Sequence, residues 1–328
     1  MRALVIPATT GPGAGVLTDV PEPEGAHPWA DGQRLLVEVR AAAVAFPDVL
    51  QSRGAYQHGV PAPYVSGGEF AGVVREAPAD SRFAVGDRVA GMTVFGAIAE
   101  RVLAIPAYTV RIPDTMSWVE GAAYYLNYAT AWFTLRRAGF ADGESVLVHG
   151  AAGGVGTAAL DLLRGRARPC IAVVSTDEKA LVARECGANE VLRVAQPWPQ
   201  RVRELTGGPG VDVVVDPVGG DRFVDSLRSL DVGGRLMVVG FAAGRIPEVR
   251  VNRLLLRDLT IMGVALDPWV RRHPEFATEL ADALEDAAAR GAVRPVVGDV
   301  LDFDDAPKAM PIVDSRAARG KVVVRIRD

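Results

Sequence analysis

The sequence predicts an α/β protein in which a β-rich stretch precedes a doubly wound parallel sheet. Three observations predict it. Short apolar runs broken by Gly and Pro fill residues 1–118. Strand-length and helix-length segments alternate from 119 to 264. Within that second stretch an apolar strand runs straight into a glycine-rich turn that opens a helix, at Ser145–Thr157.

The β-rich part rests on runs such as Leu35-Leu36-Val37-Glu38-Val39, Phe70-Ala71-Gly72-Val73-Val74 and Asp87-Arg88-Val89-Ala90-Gly91. After Trp118-Val119-Glu120 a helical stretch runs through Ala138. Strands are expected at Ser145–His149, 171–174, 190–194, Val211–Val215, Arg235–Val239 and Leu259–Val264. Helices are expected at 154–165, 177–186, 199–205 and 221–230. The tail holds one amphipathic helix, Pro274–Arg290, and two strand-like segments, including Lys321–Ile326; it is expected to fold back on the first domain. The domains are therefore read as 1–118, 119–264 and 265–328.

Composition narrows the function. Of 328 residues, 49% are apolar and 23% charged, with a net charge of −4. That balance argues against nucleic acid as the main partner, because phosphate-backbone binding needs a concentrated basic surface. Arg164, Arg166 and Arg168 read as a solvated helix end. Two cysteines, Cys170 and Cys186, give no disulfide framework. Met1–Pro7 reads as a strand with no signal-peptide core, and no apolar run spans a bilayer. A cytoplasmic protein without a membrane partner is expected.

The chemistry-bearing stretch is His149-Gly150-Ala151-Ala152-Gly153-Gly154-Val155-Gly156. Small residues let a backbone approach a pyrophosphate, and the following helix offers free N–H groups and the positive end of its dipole. Enclosed in a βαβ unit, the motif predicts a dinucleotide held by Ala152, Gly153, Gly154 and Val155. The next strand selects the cofactor. It ends in Ser175-Thr176, with Lys179 beyond, and a hydroxyl with an ammonium suits the 2′-phosphate of NADPH. Asp177 and Glu178 cut against this; they are read as first-turn helix acids rather than ribose ligands.

The glycine turn, Ser175 with Lys179, Asp216-Pro217-Val218-Gly219-Gly220 and Val238-Val239-Gly240-Phe241-Ala242 together resemble a known family. So do Phe46-Pro47-Asp48-Val49-Leu50, Gly67-Gly68-Glu69-Phe70-Ala71-Gly72 and Asn127-Tyr128-Ala129-Thr130-Ala131. It is the zinc-free medium-chain dehydrogenase/reductase family, the quinone oxidoreductases related to zeta-crystallin. The resemblance implies a GroES-like β domain, an inserted Rossmann domain and a C-terminal segment completing the first. It implies that Gly240, Phe241, Ala242, Val264, Ala265 and Leu266 line the nicotinamide end, with Asn127 and Thr130 near the ring. It also implies a homodimer joined through the last Rossmann strand.

Zinc-dependent relatives supply a first-domain Cys and a Gly-His-Glu; this chain has no cysteine before Cys170 and carries Gly67-Gly68-Glu69. His27, His58, His149 and His273 show no ligand spacing and read as surface or turn residues, with His149 packed beside the glycine turn. No metal is expected. The chain also departs from many relatives at Ala45, where they carry Asn, and at Leu50, where some carry Tyr. Candidate proton donors are then Tyr56, Tyr64 and Tyr128, with ribose hydroxyls and water; Asp48 is either catalytic or a helix or turn cap. An apolar substrate cleft would draw on Phe46, Tyr56, Tyr64 and Phe241.

The expected activity is zinc-independent, NADPH-dependent hydride transfer to a quinone or activated α,β-unsaturated carbonyl. Two alternatives stand beside it. One is an enoyl-thioester reductase with a basic rim drawn from Arg53, Arg136, Arg137, Arg271 and Arg272. The other is a catalytically weak NADPH-binding protein, motivated by Ala45 and Leu50.

Overall fold

The computed structural model describes residues 1–316 and 318–327. The strands, in chain order, begin with β1 (Arg2–Ile6), β2 (Val16–Asp19), β3 (Leu35–Val44), β4 (Tyr64–Val65) and β5 (Glu69–Glu76). Then come β6 (Arg88–Met92), β7 (Arg101–Ala104), β8 (Thr109–Arg111), β9 (Val146–His149), β10 (Cys170–Val174) and β11 (Glu190–Arg193). The last are β12 (Val211–Asp216), β13 (Leu230–Val238), β14 (Thr260–Gly263), β15 (Val297–Asp302) and β16 (Lys321–Arg325). The helices are α1 (Phe46–Ser52), α2 (Trp118–Ala122), α3 (Tyr125–Ala138), α4 (Gly154–Leu163), α5 (Asp177–Glu185) and α6 (Trp198–Leu205). They continue with α7 (Phe223–Ser229), α8 (Asn252–Leu255), α9 (Leu266–Arg272), α10 (Glu275–Ala289) and α11 (Ala309–Asp314).

The chain divides into two compact units, Met1–Leu126 with Pro274–Asp328, and Asn127–His273. In the first, β3 is buried along nearly its whole length and forms the spine of a sheet ordered β15-β16-β3-β5-β6-β8, with β7 also on β3. The tail does fold back: β16 pairs antiparallel with β3, setting Val322 opposite Val44. Close backbone approach explains one glycine here. A Cβ on Gly72 would lie 2.1 Å from the Glu38 carbonyl oxygen across the β3–β5 pair. The amphipathic tail helix α10 buries Phe276, Leu280, Leu284 and Ala288 at helical spacing, and the Tyr124 hydroxyl donates to the Leu284 carbonyl at 2.7 Å.

The second unit is a six-stranded sheet ordered β11-β10-β9-β12-β13-β14, with every pair parallel. The order reverses between β9 and β12, which is where doubly wound sheets hold ligands, outside the strands' carboxyl ends. Its strands read as continuous apolar runs because both faces are covered: β9 and β10 are buried at every position.

Local differences from the sequence reading have physical causes. The helical stretch to Ala138 is two helices, α2 and α3. Ser117 caps the first, accepting from Glu120 N while the Glu120 carboxylate returns to Ser117 N. The helix read at 221–230 opens with a 3₁₀ turn at Gly220–Arg222. The short helices α8, α9 and α11 carry too few periodic residues to register in a sequence window.

Candidate functional site

The glycine turn sits where β9 ends. Gly150 takes φ 58°, a left-handed conformation that favours glycine. A Cβ on Gly156 would lie 2.3 Å from the Gly150 carbonyl oxygen, so only glycine lets α4 start this close to the strand. Gly153 is the N-cap of α4 and no side chain caps that end. The helix's first turn therefore has no side-chain N-cap, which leaves its N-terminal amides for an anion. Asn127 lies on this turn: a Cβ on Gly154 would fall 2.5 Å from its Oδ1. The structure thus brings Asn127, Ala152, Gly153, Gly154 and Val155 together.

Buried polar groups fix the strand ends beneath the turn. Asp216, the last residue of β12, accepts from Val218 N and Gly219 N through Oδ1, both at 2.9 Å. His149 is fully buried, its Nε2 2.8 Å from Ser226 Oγ and its ring edge-on to Trp198 at 5.1 Å. Burial pushes this imidazole down to about 4, against the opposing pull of Asp216. His149 is therefore neutral at physiological pH and serves as packing beside the turn.

The loop after β13 closes against the turn after β12. Ala242 N donates to the Pro217 carbonyl at 3.2 Å, and a Cβ on Gly219 would touch the Phe241 ring at 3.0 Å. Gly240, Phe241 and Ala242 therefore share one edge with Pro217–Gly219. Val264 N donates to the Val238 carbonyl, Ala265 is the N-cap of α9, and Leu266 begins that helix. Thr130 is half-buried on α3.

At the end of β10, Thr176 rather than Ser175 caps the next helix, accepting from Lys179 N at 3.3 Å. Ser175 is exposed and Lys179 is half-buried. Sequence reasoning missed Arg193. The parallel register sets Arg193 beside Val174, and its guanidinium donates to the Ser175 carbonyl at 2.7 Å and ion-pairs with Asp177. Only strand pairing reveals this neighbour, because 18 residues separate Arg193 from Ser175.

In the first unit Asp48 is a cap. Its Oδ2 accepts from Ala45 N at 2.7 Å, closing the first turn of α1. Burial pushes its carboxyl up to about 7, with Glu69 adding and the Ala45 amide and Lys321 opposing. Glu69 and Lys321 form a buried ion pair, with side chains 1% and 5% exposed. Tyr64 is buried nearby, its hydroxyl pushed up to about 12 by burial and by Asp48. Tyr56 is half-buried with its ring edge-on to His58 at 5.6 Å. His27 lies in a turn but is buried, its Nδ1 accepting from Trp29 N at 3.1 Å.

Tyr128 needs a correction as a proton donor. It is buried, and its hydroxyl donates to Asp161 Oδ2 at 2.7 Å, tying α3 to α4. That bond fixes the phenol two helical turns into α4 rather than at the glycine turn.

Matches to known proteins follow the same two-part plan. A model of the alcohol dehydrogenase GroES-like domain matches residues 31–114, and a zinc-binding dehydrogenase model matches residues 154–285. Quinone oxidoreductase-like protein 2 of Bos taurus is 36% identical over 296 residues, covering 89% of this chain and 84% of that protein. The chain belongs to the quinone oxidoreductase family of medium-chain dehydrogenases/reductases. Among solved structures, a probable oxidoreductase from Mycobacterium abscessus superposes with TM-score 0.88 at 38% identity, covering 99% of each chain. The quinone oxidoreductase of Thermus thermophilus, solved also in complex with NADPH, has TM-score 0.84 at 34% identity over 99% of this chain and all of that one.

The zinc-binding name of one matching model does not carry over to the side chains here. Among the described residues no group of three or more His, Cys, Asp or Glu is placed to hold a metal ion. Both cysteines are buried in the second unit. Gly68 stands in the first-unit motif, and a Cβ there would point at Asp48 Oδ1 from 3.4 Å. These residues do not fit a zinc centre. No helix among the described residues is long and apolar enough to cross a membrane.

Proposed function

We propose that this chain is an NADPH-dependent oxidoreductase acting on quinones or activated α,β-unsaturated carbonyls without a metal. The observation that carries the reading is the uncapped N-terminus of α4 behind a glycine-rich turn, at the reversal of strand order. The NADPH complex of the Thermus thermophilus relative supports the same choice of cofactor.

In this reading Ala152 to Val155 bind the pyrophosphate and Ser175 and Lys179 the 2′-phosphate. Asn127, Thr130, Gly240–Ala242 and Val264–Leu266 hold the nicotinamide end. When bound, the cofactor supplies hydride to an electron-poor carbon. The protein contributes orientation and exclusion of water. An oxyanion then needs a proton. Tyr56 and Tyr64 are the remaining phenols among the first candidates, with ribose hydroxyls and water as the other sources. A quinone is the less demanding acceptor, since aromatisation drives its reduction.

Two further parts of the reading concern the setting. A homodimer is supported by β14, which forms one edge of the second unit's sheet, and by Ile246, Val251, Leu255 and Leu256, each more than 70% exposed. Sedimentation should give twice the 34.7 kDa chain mass; a monomer would refute this part. A cytoplasmic location agrees with two unpaired thiols.

A steady-state assay with NADPH tests the activity against 9,10-phenanthrenequinone, a simple enone and crotonyl-CoA. Turnover of the quinone or enone is expected. Turnover of the thioester alone would replace the reading with an enoyl-thioester reductase. NADPH binding without any turnover would leave a binding protein. Lys179→Ala should weaken NADPH far more than NADH; equal losses would remove Lys179 from the 2′-phosphate.

A further inference from the structure

We infer that Arg193, at the end of β11, is the principal cation for the cofactor's 2′-phosphate, which displaces Asp177 from its guanidinium. The inference rests on the dinucleotide reading above and adds a residue to it.

Four observations meet at this side chain. First, the parallel register sets Arg193 directly beside Val174, the last residue of β10, so it flanks the position that reads a ribose in doubly wound sheets. Second, the guanidinium is anchored: Nη2 donates to the Ser175 carbonyl at 2.7 Å, leaving little conformational entropy to lose on binding. Third, Arg193 Nε is buried and has no hydrogen-bond partner among the described residues. A buried guanidinium N–H without an acceptor is costly, and a small outward shift of the side chain toward an anion at this edge would relieve it. Fourth, Nη1 is paired with Asp177, a carboxylate 94% exposed and able to swing into water.

The fourth point removes a difficulty in the sequence. An acid directly after Ser175-Thr176 would favour the free ribose hydroxyls of NADH over a phosphorylated ribose. Here the guanidinium neutralises that acid. A 2′-phosphate carries up to two charges and offers three oxygens to the planar fork of Arg, so it competes with the single carboxylate for the same donors. Ser175 is then a neighbour whose carbonyl aims the guanidinium, and Lys179, in the first turn of α5, is a second cation.

The test is calorimetric binding of NADPH and NADH to the full chain and three variants. Arg193→Gln should weaken NADPH by about thirtyfold, of the order of one charge-assisted bidentate contact, and change NADH less than about threefold. Arg193→Lys should fall between, because a point charge cannot hold both the carbonyl and the phosphate. Asp177→Asn should tighten NADPH by releasing the fork. Circular dichroism and melting curves identify any variant that fails to fold, and Arg193→Lys keeps the question answerable if Arg193→Gln does. Native protein that binds NADPH while both Arg193 variants bind it unchanged would overturn this assignment alone. Native protein that binds neither nucleotide would overturn the dinucleotide reading itself.

Discussion

Tyr128→Phe separates a structural phenol from a catalytic one. The substitution removes one oxygen and leaves the ring in place. What is lost is the 2.7 Å bond to Asp161, a carboxylate only 7% exposed. A hydrogen bond to a charged group is worth about 1.5–3 kcal/mol. Arg164, 3.3 Å from the other Asp161 oxygen, softens the loss, so about 1.5 kcal/mol is expected. For a unit of this size that lowers the melting temperature by about 5 °C. Turnover with NADPH and a quinone should change less than about twofold. A general acid would behave in the opposite way, costing roughly 10²–10⁴ in kcat while leaving the melting point alone. Thermal unfolding without cofactor and steady-state kinetics on the same preparation give both numbers. A hundredfold fall in kcat at an unchanged melting temperature would refute the structural role.

Three other outcomes are expected. Gly154→Val drives its side chain into the Asn127 amide and should weaken NADPH more than about tenfold in calorimetry while the fold survives; retained affinity would take the turn out of the site. Lys321→Met leaves Glu69 buried without its cation and should cost about 3–5 kcal/mol in urea unfolding, most of it recovered when Glu69→Met is added. Asp48 should make stability fall with rising pH. Its carboxyl is raised in the folded chain to about 7 from an ordinary value near 4, so the folded state keeps a proton that the unfolded state has released. The favourable contribution is complete below the unfolded value and is lost as pH climbs through 7. Between about pH 5.5 and 8.5 it removes about 2 kcal/mol, and Asp48→Asn should abolish that slope; an unchanged slope would deny Asp48 its role.

Legibility in the sequence followed the range of the interaction. The glycine turn was readable because strand, turn and helix are consecutive and each glycine has a local reason to be glycine. The Rossmann half was readable because its strands are short apolar runs alternating with amphipathic segments. The fold-back of the tail was also anticipated, though the pairing of β16 with β3 was not. What stayed hidden depends on distant residues meeting. Arg193 looked like an ordinary strand end until the register placed it beside Val174. Lys321 and Glu69 lie far apart in the chain, and no spacing rule couples them. Tyr128 illustrates the converse: motif reasoning put a phenol in the site, and Asp161, on the next helix, claims its proton. His27 carried no periodic signal, since turn residues are buried by whatever packs over them.

The first unit is discontinuous in the chain, and this orders the events of synthesis. Its central strand β3 is made early, yet the neighbour it needs on one side, β16, is translated only after the whole of the second unit. Everything required for the six-stranded sheet is made in one block before then. The nucleotide-binding half can close on its own schedule, while the opening segment waits with an unpaired edge for its late partner.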